Sequence, residues 1–301
     1  MNIRVGNAPV SFGIFGPEFC ETRQLPFGEV LDMIEEAGYE GTELGPYGYL
    51  PADPARLAEE IGRRKLALGS SFVPVRLSDP EILAQAREDA LKVGRLLHTQ
   101  NVEEVIVADA GDDERAKTAG RSPKGWSDAQ WDAAVKTLEA VGKALFDELG
   151  MRIVVHHHAG TYFETAGEIE RLLKMTNPDR INLLLDTGHC VYGGGDPLEL
   201  MRRHASRIRY VHYKDIDKSK LDAVRAEKLD MKTAWLRGVF VPLGKGSVDF
   251  VALTRLLRDS RYSGWIIVEQ DVVADDAGHM EPDPFRCARE SRQYLRSLGF
   301  N

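Results

Sequence analysis

Short runs of consecutive apolar residues alternate with longer stretches in which apolar residues recur at helical spacing, and the alternation continues to the end of the chain. IRVGNAPV reads as a first strand; Phe27, Val30, Leu31 and Ile34 then follow the i, i+3, i+4, i+7 spacing of a helix with one buried face. YEGTEL supplies the second strand, LALGSSFV the third, EEVIVADA the fourth and MRIVVHHH the fifth. INLLLD, RIRYVHYKD and GWIIVEQD follow as the sixth, seventh and eighth. Helical patterns separate them, among them a long helix from about Ser127 to Leu149 and a last one near Phe285 to Leu298. Ser127 with Gln130, and Thr165 with Glu168, stand in capping-box spacing at two helix starts.

Strands that are apolar throughout and separated by helices indicate a parallel sheet covered by helices. Eight such units predict an α/β fold, a closed (β/α)8 TIM barrel forming a single domain over residues 1–301. A doubly wound open sheet is the alternative. The first strand has no G-x-G-x-x-G turn after it, and Gly193–Gly195 lacks the lysine and serine spacing of a P-loop, so a loop role is assigned there. Two irregular stretches, Ala110–Trp126 and Asp215–Ser247, follow strands four and seven. In a barrel both lie on the C-terminal rim, where active sites are built, and the second is long enough for a lid.

Charge and cysteine content narrow the function. A net charge of -8 over 301 residues argues against nucleic acid as partner, which needs a basic face. Cys20, Cys190 and Cys287 are far apart and lack C-x-x-C spacing, so neither a disulfide framework nor a zinc knuckle is expected. The N-terminal residues have no basic segment leading into a long apolar one, and no window approaches the roughly 18 apolar residues of a membrane span. A cytoplasmic protein without a membrane partner is expected; self-association into a homo-oligomer is left open.

Polar residues collect where the strands end. Strand two ends with Glu43, four with Asp109, five with His156 and His158, six with Asp186, seven with His212 and Lys214, eight with Glu269 and Asp271. Asp186, His212 and Glu269 are the candidate metal ligands, because mixed carboxylate and imidazole donors suit Mn2+, Co2+, Fe2+ or Zn2+ and disfavour a thiolate site. The alternative for Asp186, just before TGH, is a helix cap. Side chains alternate along a strand, so His156 and His158 share a face and His157 opposes them. On the inner face His156 completes the metal shell and His158 meets substrate, while His157 packs outward. Lys214 shares a face with His212, and a neighbouring divalent cation would lower its pKa and fit it for proton transfer; the alternative is an exposed ion pair. His189 either bonds substrate or closes a turn. Glu43 and Asp109 are weaker candidates for substrate contact, since acids at strand ends also serve turns.

HHHAGTYFET, LLLDTGHCVYGGGDP, RIRYVHYKDI, LRGVFVPLGKGSVDF and GWIIVEQD together resemble the sugar phosphate isomerase/epimerase-like (xylose isomerase-like) TIM-barrel superfamily over nearly the whole chain. Within it they look most like the inosose dehydratases of inositol catabolism. The resemblance implies one divalent metal held by two glutamates, an aspartate and a histidine, with proton abstraction beside the carbonyl of a polyol or keto-sugar. It puts Asp186, His212 and Glu269 on three ligand positions. The fourth, usually the glutamate of an E-x-H pattern, aligns with His156, and the pattern's histidine aligns with His158. With one glutamate gone, Lys214 or Glu269 carries more of the proton transfer. The chain departs from the inosose dehydratases at SFGIFGPEF, where they have a tryptophan and an Asn-Asp pair, and at Gly244-Lys245-Gly246, where they have G-D-G. Both segments are expected to face substrate, which makes Lys245 a substrate-contact candidate.

The expectation is therefore a metal-dependent lyase acting on a small keto-polyol of the 2-keto-myo-inositol type, with Lys214, Glu269 and His156 in catalytic roles and Mn2+ or Co2+ ahead of Zn2+, Fe2+ or Mg2+. An isomerase or epimerase working through the same enediolate is the alternative. An endonuclease IV-like nuclease is disfavoured by the charge, and a non-catalytic binding subunit is the third class.

Overall fold

The computed structural model of the chain describes residues 2–16, 24–121, 124–274 and 278–301. Cys20, and part of SFGIFGPEF, lie outside the described residues. Eight strand positions run β1 (Ile3–Asn7), β2 (Gly41–Thr42), β3 in two pieces (Ala67–Leu68 and Phe72–Val75), β4 (Glu104–Asp109), β5 (Arg152–His156), β6 (Ile181–Asp186), β7 (Ile208–Tyr213) and β8 (Gly264–Val268). Every pairing among them is parallel, and β8 pairs with β1. The first piece of β3 pairs with β2 and the second with β4. Between the pieces, Gly69 N donates to Thr42 O at 2.8 Å while Ser71 O accepts from Ile106 N at 3.1 Å. The broken third strand thus bridges both neighbours, and the sheet is the expected α/β barrel.

The interior is layered, as the period of two in a strand requires. Ile106, Val154, Leu184, Tyr210 and Ile267, one from each of β4 to β8, form an apolar plug with Ala8. Two residues further along the same strands stand Ala108, His156, Asp186, His212 and Glu269. Alternation alone therefore lifts four polar side chains, with Ala108 as the apolar fifth position, onto an apolar floor at the C-terminal end. The larger core lies between the outer strand faces and the helices, and the expected caps hold: both capping boxes form, at Ser127 and Thr165.

The two irregular stretches carry more structure than the sequence pattern suggests. Asp113–Thr118 is a helix capped by Asp112 in the first. In the second, helices Lys218–Ala226 and Met231–Leu236 are capped by Asp217 and Asp230, and an antiparallel ribbon joins Asp215–Ile216 to Phe240–Val241. Cys190 and Cys287 are buried free thiols, and among the described residues no helix is long and apolar enough to cross a membrane.

Candidate metal centre

His156, Asp186, His212 and Glu269 each offer one donor atom, and the four atoms lie within 4.8 Å of one another, all buried. His156 Nε2 is 3.5 Å and His212 Nδ1 is 3.6 Å from Asp186 Oδ2, and His212 Nδ1 is 3.1 Å from Glu269 Oε2. The register explains the convergence: Asp186 and His212 are Cα partners across β6 and β7, and the β7–β8 ladder continues to Glu269, whose N donates to Tyr213 O at 3.1 Å.

Buried polar atoms ordinarily find hydrogen-bond partners. Both ring nitrogens of His156, Asp186 Oδ2 and His212 Nδ1 have none. Three of these atoms face one another as lone-pair donors, which is the arrangement a divalent cation fits, and the mixed N,O donor set suits the borderline first-row metals.

Supporting contacts fix two of the donors, Asp186 and His212. Asp186 divides its carboxylate: Oδ1 accepts the His189 N–H at 2.8 Å and caps helix Thr187–Tyr192, while Oδ2 turns to the cluster. The cap reading of Asp186 holds through one oxygen, and the other is left free for the ligand role. His157 points away from the interior, as alternation predicts, and its Nε2 accepts the Asp186 N–H at 3.1 Å. Burial holds His157 near 3, so it stays the neutral acceptor this bond requires. Behind His212, Glu43 Oε1 lies 2.9 Å from Nε2. Glu43, expected at the substrate, is therefore an orienting partner of the histidine, in the manner that fixes tautomer and basicity of metal-binding imidazoles. Burial acts against a charged His212, but the Glu269 and Glu43 carboxylates outweigh it and raise its pKa well above the ordinary value.

Lys214 sits beside the cluster and is 1% exposed. Its ammonium lies 2.8 Å from Asp271 Oδ1, 3.0 Å from Glu269 Oε2 and 2.9 Å from His189 Nε2. A side chain at Gly188 would run into the Lys214 stem, with a Cβ only 2.6 Å from Cγ, so the glycine after Thr187 is what lets the lysine pass. The lowered lysine pKa expected beside a divalent cation is not what the surrounding side chains alone produce. Burial does push it down, but Asp186, Asp271 and Glu269 overcome that and raise it above its ordinary value. Asp271, noted at the end of strand eight but given no role there, shares the strand parity of Glu269, the signal that would have assigned it to the site, and its Oδ2 has no partner.

His158 lies past the end of β5, placed by the turn that returns Thr161 N to its carbonyl rather than by strand alternation. It still reaches the site, its ring 5.4 Å from that of His156 and 3.6 Å from that of His189, and burial holds it near 3. His189 is buried between Ala159 N, 3.4 Å from Nδ1, and Lys214. His158, His189 and Asp271 also converge within 4.8 Å, but the Lys214 ammonium already stands between the last two.

Two expected substrate contacts are corrected. Asp109 Oδ2 accepts N–H bonds from Gly111 at 3.0 Å and Tyr162 at 3.2 Å, so its carboxylate ties two rim loops together. Its neighbour Ala108, in phase with Ile106, takes the inward position instead. Lys245 is exposed on its turn, whose Gly244 and Gly246 amides are drawn to Asp215 rather than toward the cluster.

The comparisons agree with this architecture. The family model described as Xylose isomerase-like TIM barrel matches residues 31–298. An inosose dehydratase of Geobacillus kaustophilus is 37% identical over 305 residues, spanning 98% of this chain and 94% of its own. One from Lacticaseibacillus casei is 32% identical over 299 residues, spanning 98% and 97%. Among solved structures, D-allulose 3-epimerase from Methylomonas sp. superposes with TM-score 0.71 at 16% identity over 99% of this chain and 97% of its own. The probable 3-DHS dehydratase AsbF of Bacillus anthracis gives 0.69 at 16% identity over 98% and 99%. At such identities the structures speak to the fold alone.

Proposed function

The chain belongs to the xylose isomerase-like TIM-barrel family, and from that premise we propose that this enzyme is a metal-dependent dehydratase of a cyclic keto-polyol of the 2-keto-myo-inositol (inosose) type. The observation that carries the reading is the set of unpartnered buried donors on His156, Asp186 and His212, converging with Glu269, whose Oε2 lies 3.0 Å from the Lys214 ammonium. Relatives named inosose dehydratase at 37% and 32% identity support the substrate class. The four residues would hold Mn2+ or Co2+, ahead of Zn2+, Fe2+ or Mg2+. A bound divalent ion supplies Lewis-acid stabilisation of the negative charge that grows on a carbonyl oxygen as the neighbouring C–H proton leaves.

This chain's own residues handle the protons. The Glu269 carboxylate reaches the α-carbon side and accepts the C–H proton, the C–H electrons forming the C=C bond of the enediolate. The charged Lys214 then gives a proton to the β-hydroxyl, the C–O bond breaks as the enediolate electrons return, and water departs. Asp271 and Glu269, both against the ammonium, hold it for that donation. His158, neutral because burial lowers its pKa, offers a hydrogen bond to a ring hydroxyl, and His189 backs the Lys214 ammonium.

The test is chelation, reloading with Mn2+ and incubation with 2-keto-myo-inositol in deuterated water. The expected result is an enone-like absorbance with loss of one water, present only with metal. Deuterium incorporation with formation of an isomer and no water lost would replace dehydration by isomerisation or epimerisation, which shares the enediolate. Metal bound with neither change removes the keto-polyol assignment.

A further inference from the structure

The segment between β7 and β8 folds back over the site. Asp215, the residue after Lys214, faces Val241 across the ribbon, and its carboxylate accepts N–H bonds from Gly244 at 2.9 Å, Gly246 at 2.8 Å and Val248 at 3.1 Å. Both ends of the segment are thereby fastened beside the lysine. The helices of the segment bury Leu221, Val224, Ala234 and Trp235 in a small core shared with Ala159 and Tyr192 of the rim, and Phe240 belongs to it. Gln270, between Glu269 and Asp271, donates from Nε2 to the Phe240 carbonyl at 3.4 Å, which ties the ribbon to the end of β8.

The Phe240 ring is 2% exposed, and its centroid lies 5.1 Å from Lys214 Nζ. It meets the His189 ring at 5.3 Å and 72°. Carboxylates hold the ammonium on one side, and an aromatic ring attracts a cation through its quadrupole on the other while shutting out water. A lysine has a long flexible stem, and proton transfer needs its nitrogen at one place.

We propose that Phe240 is the positioning residue of Lys214: the inserted segment exists in this site to lay one aromatic ring on the catalytic ammonium. The inference rests on the reading of Lys214 as the proton donor above. It separates Phe240 from ordinary lid packing, because the effect runs through ring electronics as well as ring shape.

Shape-conserving replacement of Phe240 by mono-, di- and trifluorinated phenylalanine weakens the quadrupole stepwise. With Mn2+-loaded enzyme and 2-keto-myo-inositol, kcat falls with each fluorine, by about tenfold across the series, while KM and metal content stay within about twofold. Phe240→Leu falls at least as far, and Phe240→Tyr restores most of the rate. Independently of any substrate, acetylation of Lys214 by acetic anhydride, read by peptide mass spectrometry, is about tenfold faster in Phe240→Leu than in the parent. Flat kcat across the fluorinated series, or Lys214 acetylation unchanged in Phe240→Leu, overturns the inference. If Lys214→Met keeps full turnover, the reading of Lys214 falls instead; if Lys214→Met is inactive while the fluorinated series is flat, the Phe240 inference falls alone. If the parent does not act on 2-keto-myo-inositol, the acetylation result decides.

Discussion

Two sets of buried carboxylates share the C-terminal rim and do opposite work. Asp109, Glu164 and Asp215 are taken up by the main chain: Glu164 accepts N–H bonds from Gly160 at 2.6 Å and Gly120 at 2.7 Å, much as Asp109 and Asp215 bind the amides of their loops. Asp186, Glu269 and Asp271 face imidazoles and an ammonium, and Asp186 and Asp271 each keep one oxygen without a partner. Their proton affinities part at two of the three members of the second set; burial raises Asp271 to about 6 despite the Lys214 ammonium. Burial raises the first set, Asp109 to about 6. Burial acts on Asp186 and Glu269 too, but Lys214 with His189 at the former and His212 with Lys214 at the latter hold both carboxyls below the usual range. An acid whose oxygens are saturated by backbone N–H groups is a loop fastener. One that keeps an unpaired oxygen toward cationic neighbours is available for chemistry.

The strongest way to break this comparison is to neutralise the second set without changing its shape. Asp186→Asn keeps an oxygen for the His189 cap and loses the charge of the free oxygen; Glu269→Gln keeps the side-chain shape just after β8 and loses its charge. Each should bring metal content to near zero by elemental analysis and cut turnover of 2-keto-myo-inositol by about 10³-fold or more, the several kcal/mol expected of a lost Lewis acid. Full metal in both variants would remove the assignment of the cluster.

Lys214→Met tests the cation that the second set surrounds. Metal should remain while kcat falls by about 10² to 10⁴-fold, the usual range for loss of a general acid. A smaller change would reduce Lys214 to a structural counter-ion for Glu269 and Asp271. Glu43→Gln is gentler again. Its effect passes through His212, and metal affinity measured by competition with a chelator should weaken by about 10 to 100-fold. Unchanged affinity would mean that Glu43 does not orient the ligand.

How much of this was legible depends on phase. The strand–helix alternation and the barrel followed from apolar patterning, and four donors on four different strands were visible as residues at strand ends. Whether a given strand-end acid points in or out was not, because a strand buried on both faces, such as EVIVAD, carries no alternation by which to phase it. Asp109 and Asp186 look alike in VADAG and LLLDTG, yet Asp109 is out of phase with Ile106 and Asp186 is in phase with Leu184. Asp271 was in phase with Glu269 and could have been chosen on that ground. The inserted segment hid its helices because Leu221 and Val224 are thinly spaced among charged residues, and their burial comes from Trp235, Phe240 and rim residues such as Tyr192 that only the fold brings together.

The smallest expected effect comes from the first set and is the sharpest check on the distinction. In Asp109→Asn the amide oxygen can accept both N–H bonds that now go to Oδ2, so metal content and turnover should stay within about twofold of the parent. Stability should nevertheless change with pH. Burial raises the Asp109 carboxyl from the ordinary 3.8 to about 6, so the folded protein holds this proton more tightly than the unfolded chain. The stabilising contribution of the protonated acid is complete below the unfolded value, is lost as pH rises through the folded one, and is constant beyond it. Asparagine has no such term. Between pH 5 and pH 7.5 the unfolding free energy of the variant, relative to the parent, should therefore rise by about 1 to 1.5 kcal/mol in urea titrations. A pH-independent difference would show that Asp109 is not held as a buried, reluctant acid, and loss of metal would move it from the fasteners to the site.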